Sequence, residues 1–165
     1  MPELDFFYLL RALHDAGIEF LVVGGVAAVL QGAPVNTLDV DVVFSRSDAN
    51  IGRLLPVLEA LDAHYRVQPE RRLRPTASHL ASPGHQNLLT TYGPFDLLGT
   101  VGQGLGYEDL LPHSVEMNIG EGIRVRVLNL EKLIALKEEL GGEKDRATLP
   151  VLRQTLKERG RPHQP

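Results

Sequence analysis

"LDVDVVF", residues 38–44, decides how this sequence is read. Five of its seven residues are apolar and three are valine, a composition that favours a strand. Yet Asp39 and Asp41 stand one residue apart inside it. In a strand, residues i and i+2 face the same side, roughly 7 Å apart. Asp39 and Asp41 are therefore expected to point together, with Leu38, Val40 and Val42 pointing the other way into a core. Two neighbouring carboxylates repel and lose hydration, and a strong positive charge between them relieves both costs. With no cysteine in the chain and no paired histidines nearby, hard oxygen ligands suit Mg²⁺ or Mn²⁺. A solvent-facing edge strand with ordinary polar alternation fits the same spacing, because D-x-D is short and arises often by chance.

Two further stretches bear on that choice. "YGPFDLLG", residues 92–99, puts Asp96 between Phe95 and Leu97, again an acid within an apolar run. If this strand lies beside residues 38–44, three carboxylates converge on one or two ions, the arrangement that clamps attacking and leaving oxygens in phosphoryl displacement. Taken by itself, Asp96 reads equally as a turn-adjacent acid. "FLVVGGVAAVL", residues 20–30, reads as strand, paired glycines, helix. Gly24 and Gly25 then stand at a helix N-terminus, where backbone N–H groups face outward and can cradle phosphate. Glycine also serves such turns for conformational reasons alone.

The rest of the chain frames these motifs. Residues 3–16 carry apolar groups at helical spacing, and Gly17 closes that helix. Residues 18–25 read as a strand, 26–32 as a short helix stopped by Gly32 and Pro34, and Ser47 with Asp48 caps a helix to about residue 63. Residues 64–85, with Arg66, Arg71, Arg72, Arg74 and three prolines, read as a loop or irregular insertion. A hairpin is expected around Gly93 and Pro94, and another around Glu121 and Gly122. Helices over 130–140 and 148–159 complete the pattern. The order predicts an α/β (α+β) fold, a mixed central β-sheet with flanking helices. One domain over residues 1–160 is expected, with 161–165 as a disordered tail.

Bulk properties exclude several classes. A net charge of −4 argues against a protein that coats nucleic acid generally. The absence of cysteine removes disulfides and thiolate metal sites and fits a cytoplasmic location. No apolar run long enough for a membrane span is visible, and the start lacks a signal-peptide pattern.

Gly24 and Gly25, a short helix, and then Thr37-x-Asp39-x-Asp41 among hydrophobic neighbours resemble the signature of the polymerase-β nucleotidyltransferase superfamily. Asp96 in "GPFDLL" matches its later third carboxylate, and "VLNLEKLIALKEELGGEKDRATLPVL" resembles the C-terminal segment of small bacterial members, including abortive-infection toxin nucleotidyltransferases. The resemblance spans roughly residues 15–158. It implies that Asp39, Asp41 and Asp96 bind the metal, with Asp96 also helping to deprotonate the acceptor hydroxyl. It also implies a triphosphate site at Gly24, Gly25 and Thr37. Relatives of this type commonly carry an arginine two residues before the threonine, where this chain has Val35.

Lys137 falls on the apolar stripe of the helix over 130–140, where a lysine either snorkels to solvent or reaches an anion in a cleft. The resemblance implies the cleft and a phosphate-facing role. Lys144 and Asp145 match the family's following Lys-Asp pair, or else form a solvated loop ion pair. The four arginines could meet an RNA backbone or an acidic acceptor, although charge runs are usually solvated surface. His14, His64, His79, His85, His113 and His163 show no metal-ligand spacing, and only His79 and His85 are candidates for an acceptor side.

The expected activity is transfer of a nucleoside monophosphate from a Mg²⁺-bound nucleoside triphosphate, such as ATP, to tRNA, a protein or a small molecule, releasing pyrophosphate. The alternative is a catalytically weak nucleotide-binding or toxin–antitoxin partner protein that keeps the fold. Val35 favours that alternative, and three intact carboxylates speak against it.

Overall fold

The computed structural model describes residues 3–160, so the expectation for residues 161–165 lies outside the described residues. Helix α1 (Phe6–Asp15) starts where the Asp5 side chain accepts from the Tyr8 N–H, and it buries Leu9, Leu10 and Leu13. Strand β1 (Phe20–Val23) is buried along its whole length. It runs directly into α2 (Gly24–Leu30), so the two glycines open the helix and do not end the strand. Strand β2 (Val40–Phe44) leads through the Ser47 cap into α3 (Asp48–Ala60). Then come the two-residue β3 (His64–Tyr65), α4 (Ala77–Ala81), β4 (His85–Thr90), β5 (Gly93–Leu98), α5 (Tyr107–Leu110), β6 (Ser114–Asn118), β7 (Arg124–Leu128), α6 (Leu130–Leu140) and α7 (Glu143–Arg159).

The seven strands form one sheet in the order β3-β4-β5-β2-β1-β7-β6. β2 is parallel to β5 and β1 to β7, while β1–β2, β3–β4, β4–β5 and β6–β7 are antiparallel. This is the mixed sheet with flanking helices that the element order predicts. Helices α1, α3 and α4 pack in one group and α2, α6 and α7 in another. Val22, Val40, Val42, Phe44, Leu54, Leu88, Phe95 and Leu97 are all sealed from solvent in the core.

A buried polar side chain ties two of the central strands together. Asn50, fully buried in α3, accepts from the Glu19 N–H (2.8 Å) and donates to the Glu19 (3.0 Å) and Ser45 (2.7 Å) carbonyls. It thereby pairs the Glu19 N–H just before β1 and the Ser45 carbonyl just after β2, and reinforces the Glu19 carbonyl, which also accepts from the Ser45 N–H (3.0 Å).

Several expectations need correction. Residues 64–85 are not simply a loop, because they hold β3, a 3₁₀ turn at Pro69–Arg71 and α4. The β4–β5 hairpin turns at Thr91 and Tyr92, and Gly93 and Pro94 already belong to β5. Gly93 has φ +111°, and a Cβ there would lie 2.8 Å from the Leu4 Cα, so close packing explains this glycine. Leu38 is 82% exposed, because β2 begins only at Val40 and the strand alternation does not reach back to it. The last helix starts at Glu143, five residues earlier than the sequence suggests, bringing Lys144 and Asp145 into its first turn. Among the described residues, no helix is long and apolar enough to cross a membrane.

Candidate active site

Register brings the carboxylates together. Asp41 on β2 lies directly opposite Asp96 on β5, and Asp96 lies opposite Asn87 on β4. Cross-strand partners share a face of the sheet, so these three side chains form one row. The row continues to Arg66, just beyond β3, whose N–H donates to the Asn87 carbonyl (3.0 Å). Asp39 sits in the bend before β2. The Thr37 hydroxyl fixes that bend by donating to the Asp39 carbonyl at 2.9 Å. Asp39, Asp41 and Asp96 can each offer an oxygen such that all three lie within 4.8 Å of one another.

The paired glycines make room for this cluster. Gly24 has φ +67°, and a Cβ there would press on the Asp41 carboxylate, 3.1 Å from its Cγ. At Gly25 a Cβ would lie 2.8 Å from both Cβ and Oγ1 of Thr37. Side chains at either position would push against the residues that aim the acids.

Burial sets the charge state of the cluster. It is the largest influence raising the Asp41 pKa from its ordinary 3.8 to about 6, and the Asp39 charge adds to it. A hydrogen bond to Asp96 and the positive charges of Lys144 and Arg66 work against the rise. Asp96 is pushed further, to about 8, by burial and then by the hydrogen bond and charge of Asp41. The Arg66 guanidinium pulls it down, yet burial and Asp41 outweigh that pull even though Arg66 pairs directly with Asp96. Without a cation, Asp41 and Asp96 thus share a proton near neutrality. Three convergent oxygens, two of them reluctant to ionise together, fit a hard divalent cation that would supply the missing positive charge.

A cavity of about 310 Å³ opens beside Asp41. Val23, Gly24, Asp41, Leu98 and Val101 form one side, and α6 contributes Leu133, Leu136, Lys137 and Leu140 to the other. Its walls are mainly apolar, with Asp41, Lys137 and Asp145 as charged points. The Lys137 Nζ lies 3.1 Å from Asp145 Oδ1, and both side chains are about one-fifth exposed. Lys137 therefore faces the cavity and does not snorkel outward. Lys144 is exposed, but its charge is felt at Asp41. The partner of Asp145 is Lys137, which replaces the expectation of a loop pair between Lys144 and Asp145. A wider hollow of about 560 Å³ near Gln31, Met117 and Arg159 borders none of the three carboxylates.

The arginines separate into two kinds. Arg72 (2.5 Å) and Arg74 (2.6 Å) both pair with the exposed Asp62, and Arg71 donates to Gln68. Only Arg66 turns to the acid cluster, donating to Asp96. Sequence reasoning placed all four in one charge run. The signal that separates Arg66 is its place immediately after "HY", where the chain still pairs with β4. Asn87, exposed and in the acid row, was also missed, because one asparagine in a strand carries no spacing signal. His79 caps α4 with Thr76. His85 hydrogen-bonds through Nε2 to the Thr100 carbonyl (2.9 Å) and lines the cavity. Val35 is half-buried and packs on the core. His163 lies outside the described residues.

No protein-family model matches the chain, and no curated protein sequence matches it either. Solved structures do. A lincosamide antibiotic adenylyltransferase, LnuA, in its lincomycin-bound crystal structure, superposes with a TM-score of 0.65 at 15% identity, over 93% of this chain and 99% of that one. A candidate nucleotidyltransferase from Thermotoga maritima gives 0.57 at 18% identity, over 93% of each chain. The antibiotic-resistance factor ANT(2'')-Ia gives 0.61 at 14% identity, over 91% of this chain and 81% of that one. The fold is therefore the one these nucleotidyltransferase structures share, in agreement with the fold that the sequence resemblance implies.

Proposed function

We propose that this protein is a nucleotidyltransferase that moves a nucleoside monophosphate from a nucleoside triphosphate to an acceptor hydroxyl and releases pyrophosphate. The observation that carries the reading is the convergence of Asp39, Asp41 and Asp96, with Asp41 lining an apolar-walled cavity that Lys137 also lines. Asp39, Asp41 and Asp96 would hold Mg²⁺, or Mn²⁺, which when bound supplies charge neutralisation for the triphosphate and the developing oxyanions.

The chain's own residues perform the remaining tasks. The base fits between the apolar walls, Leu133, Leu136, Leu140 and Val101, while Gly24 and Gly25 let phosphates approach the backbone. Lys137 and Lys144 offer positive charge to the phosphates, with Asp145 holding the Lys137 side chain in the cavity until they arrive. The acceptor oxygen attacks the α-phosphorus, the bond to the bridging oxygen of pyrophosphate breaks, and the hydroxyl proton passes to the Asp96 carboxylate. Asp96 is placed for that task by its position opposite Asp41 in the acid cluster. Most of the catalysis is positioning and charge compensation.

A small-molecule hydroxyl is the favoured acceptor. Two of the similar structures are named for antibiotic adenylyltransfer or antibiotic resistance, and one of them holds lincomycin. The test is pyrophosphate release from each nucleoside triphosphate with Mg²⁺ and panels of hydroxylated small molecules, tRNA or protein. Release that depends on an acceptor and is lost in Asp41→Asn is expected. Nucleotide binding with no release against any acceptor would favour a binding protein that keeps the fold.

A further inference from the structure

Arg66 is placed as few surface arginines are. It follows the short strand β3, which pairs only with β4, and its side chain reaches across β4 to Asp96 on β5. Nη2 donates to Asp96 Oδ1 and, at 3.4 Å, to the Leu88 carbonyl. Its Nε is buried without any partner. An arginine serving only to tie two strands would have its donors satisfied, since leaving a buried one unpaired is costly. The feature that holds this guanidinium in place is the charge of the acid cluster. The segment beyond it is tied back elsewhere: Arg72 and Arg74 pair with Asp62, and the Leu73 carbonyl accepts from the Tyr65 N–H (2.8 Å).

We propose that Arg66 is the resting counter-cation of the acid cluster. It occupies one oxygen of Asp96 while no divalent cation is bound and releases it when the cation arrives with its nucleotide. It thereby sets how weakly the nucleotide-free site holds a bare cation. A free ion approaching Asp39 and Asp41 meets a fixed positive charge beside it and finds Asp96 engaged. A cation already carrying a triphosphate meets less repulsion, because the triphosphate's negative charge faces the guanidinium. The site would thus discriminate against empty metal and favour the metal–nucleotide pair. This inference rests on reading the cluster as a cation site.

Mn²⁺ binding to the nucleotide-free protein, followed by the paramagnetic resonance of free Mn²⁺, tests it. Removing one nearby positive charge in Arg66→Met should tighten Mn²⁺ binding roughly tenfold or more, since a unit charge a few ångströms from a divalent ion is worth at least that at surface dielectric. Arg66→Lys, which keeps the charge, should stay within about threefold of the parent, so charge and not mere packing is what the pair of variants reads. If Arg66→Met does not fold, the parent decides: the Arg66 Nε–H resonance, assigned by its loss in Arg66→Lys, should move on saturation with Mg²⁺ and nucleotide. Unchanged or weaker Mn²⁺ affinity in Arg66→Met, or an unmoved Nε–H resonance, overturns the proposal while leaving the cation site standing. If neither parent nor variant binds Mn²⁺, the reading of the cluster falls and this inference with it.

Discussion

Raising the pH in the presence of a chelator should weaken the fold, and the acid cluster sets both the direction and the window. Asp41 and Asp96 bind protons more tightly folded than unfolded, so the stability they contribute is fully present below their ordinary 3.8 and is lost as the pH climbs through about 6 and about 8. Moving Asp41 from 3.8 to about 6 corresponds to about 3 kcal/mol. Asp96 is displaced further, but the two share a proton, so adding its full displacement would count the same repulsion twice. For a domain of this size about 3 kcal/mol lowers the melting temperature by roughly 6–12 °C. The assay is thermal unfolding in chelator between pH 4 and pH 9, run beside Asp41→Asn with Asp96→Asn to subtract every other titrating group. The parent should lose several degrees more than the double variant, and Mg²⁺ should restore them at high pH in the parent alone. A parent profile parallel to that of the double variant would refute the reasoning.

Other substitutions separate geometry from charge. Gly25→Ala should cost about 1–3 kcal/mol by pressing on Thr37 and should cut turnover by loosening the Asp39 bend, read by unfolding and by pyrophosphate release. Lys137→Met should raise the nucleotide KM about tenfold or more, as expected for a lost charge-assisted contact, with little change in melting temperature; an unchanged KM would remove it from the phosphate site. Leu54→Ala, in the sealed core away from the carboxylates, should cost about 2–5 kcal/mol yet leave activity per folded molecule intact.

The elements legible in the sequence are those whose local chemistry and tertiary setting agree. Leu130–Leu140 reads as a helix because its apolar spacing, the Asn129 cap and the left-handed Gly141 all point the same way. The carboxylate triad was legible because an acid inside an apolar strand is costly unless a positive charge offsets it; the β2–β5 register aligns Asp41 with Asp96, and Asp39 joins them from the bend before β2. Arg66 was not, since its role depends on a two-residue strand that exists only by pairing with β4. Leu38 misled because alternation was extended past the bend held by Thr37. α7 starts at Glu143, five residues before the helix that the sequence suggests, and continues through Pro150. Gly24 and Gly25 were read for phosphate, and the structure adds a packing reason: Asp41 and Thr37 leave no room for a Cβ.

The most direct test of nucleotidyl transfer follows the label. With an acceptor that supports pyrophosphate release, α-³²P-labelled triphosphate should place its label on the acceptor while γ-³²P-labelled triphosphate should yield labelled pyrophosphate, both requiring divalent cation and both lost in Asp39→Asn. Label from the γ position on the acceptor, or α-label transfer that survives Asp39→Asn, would contradict the account.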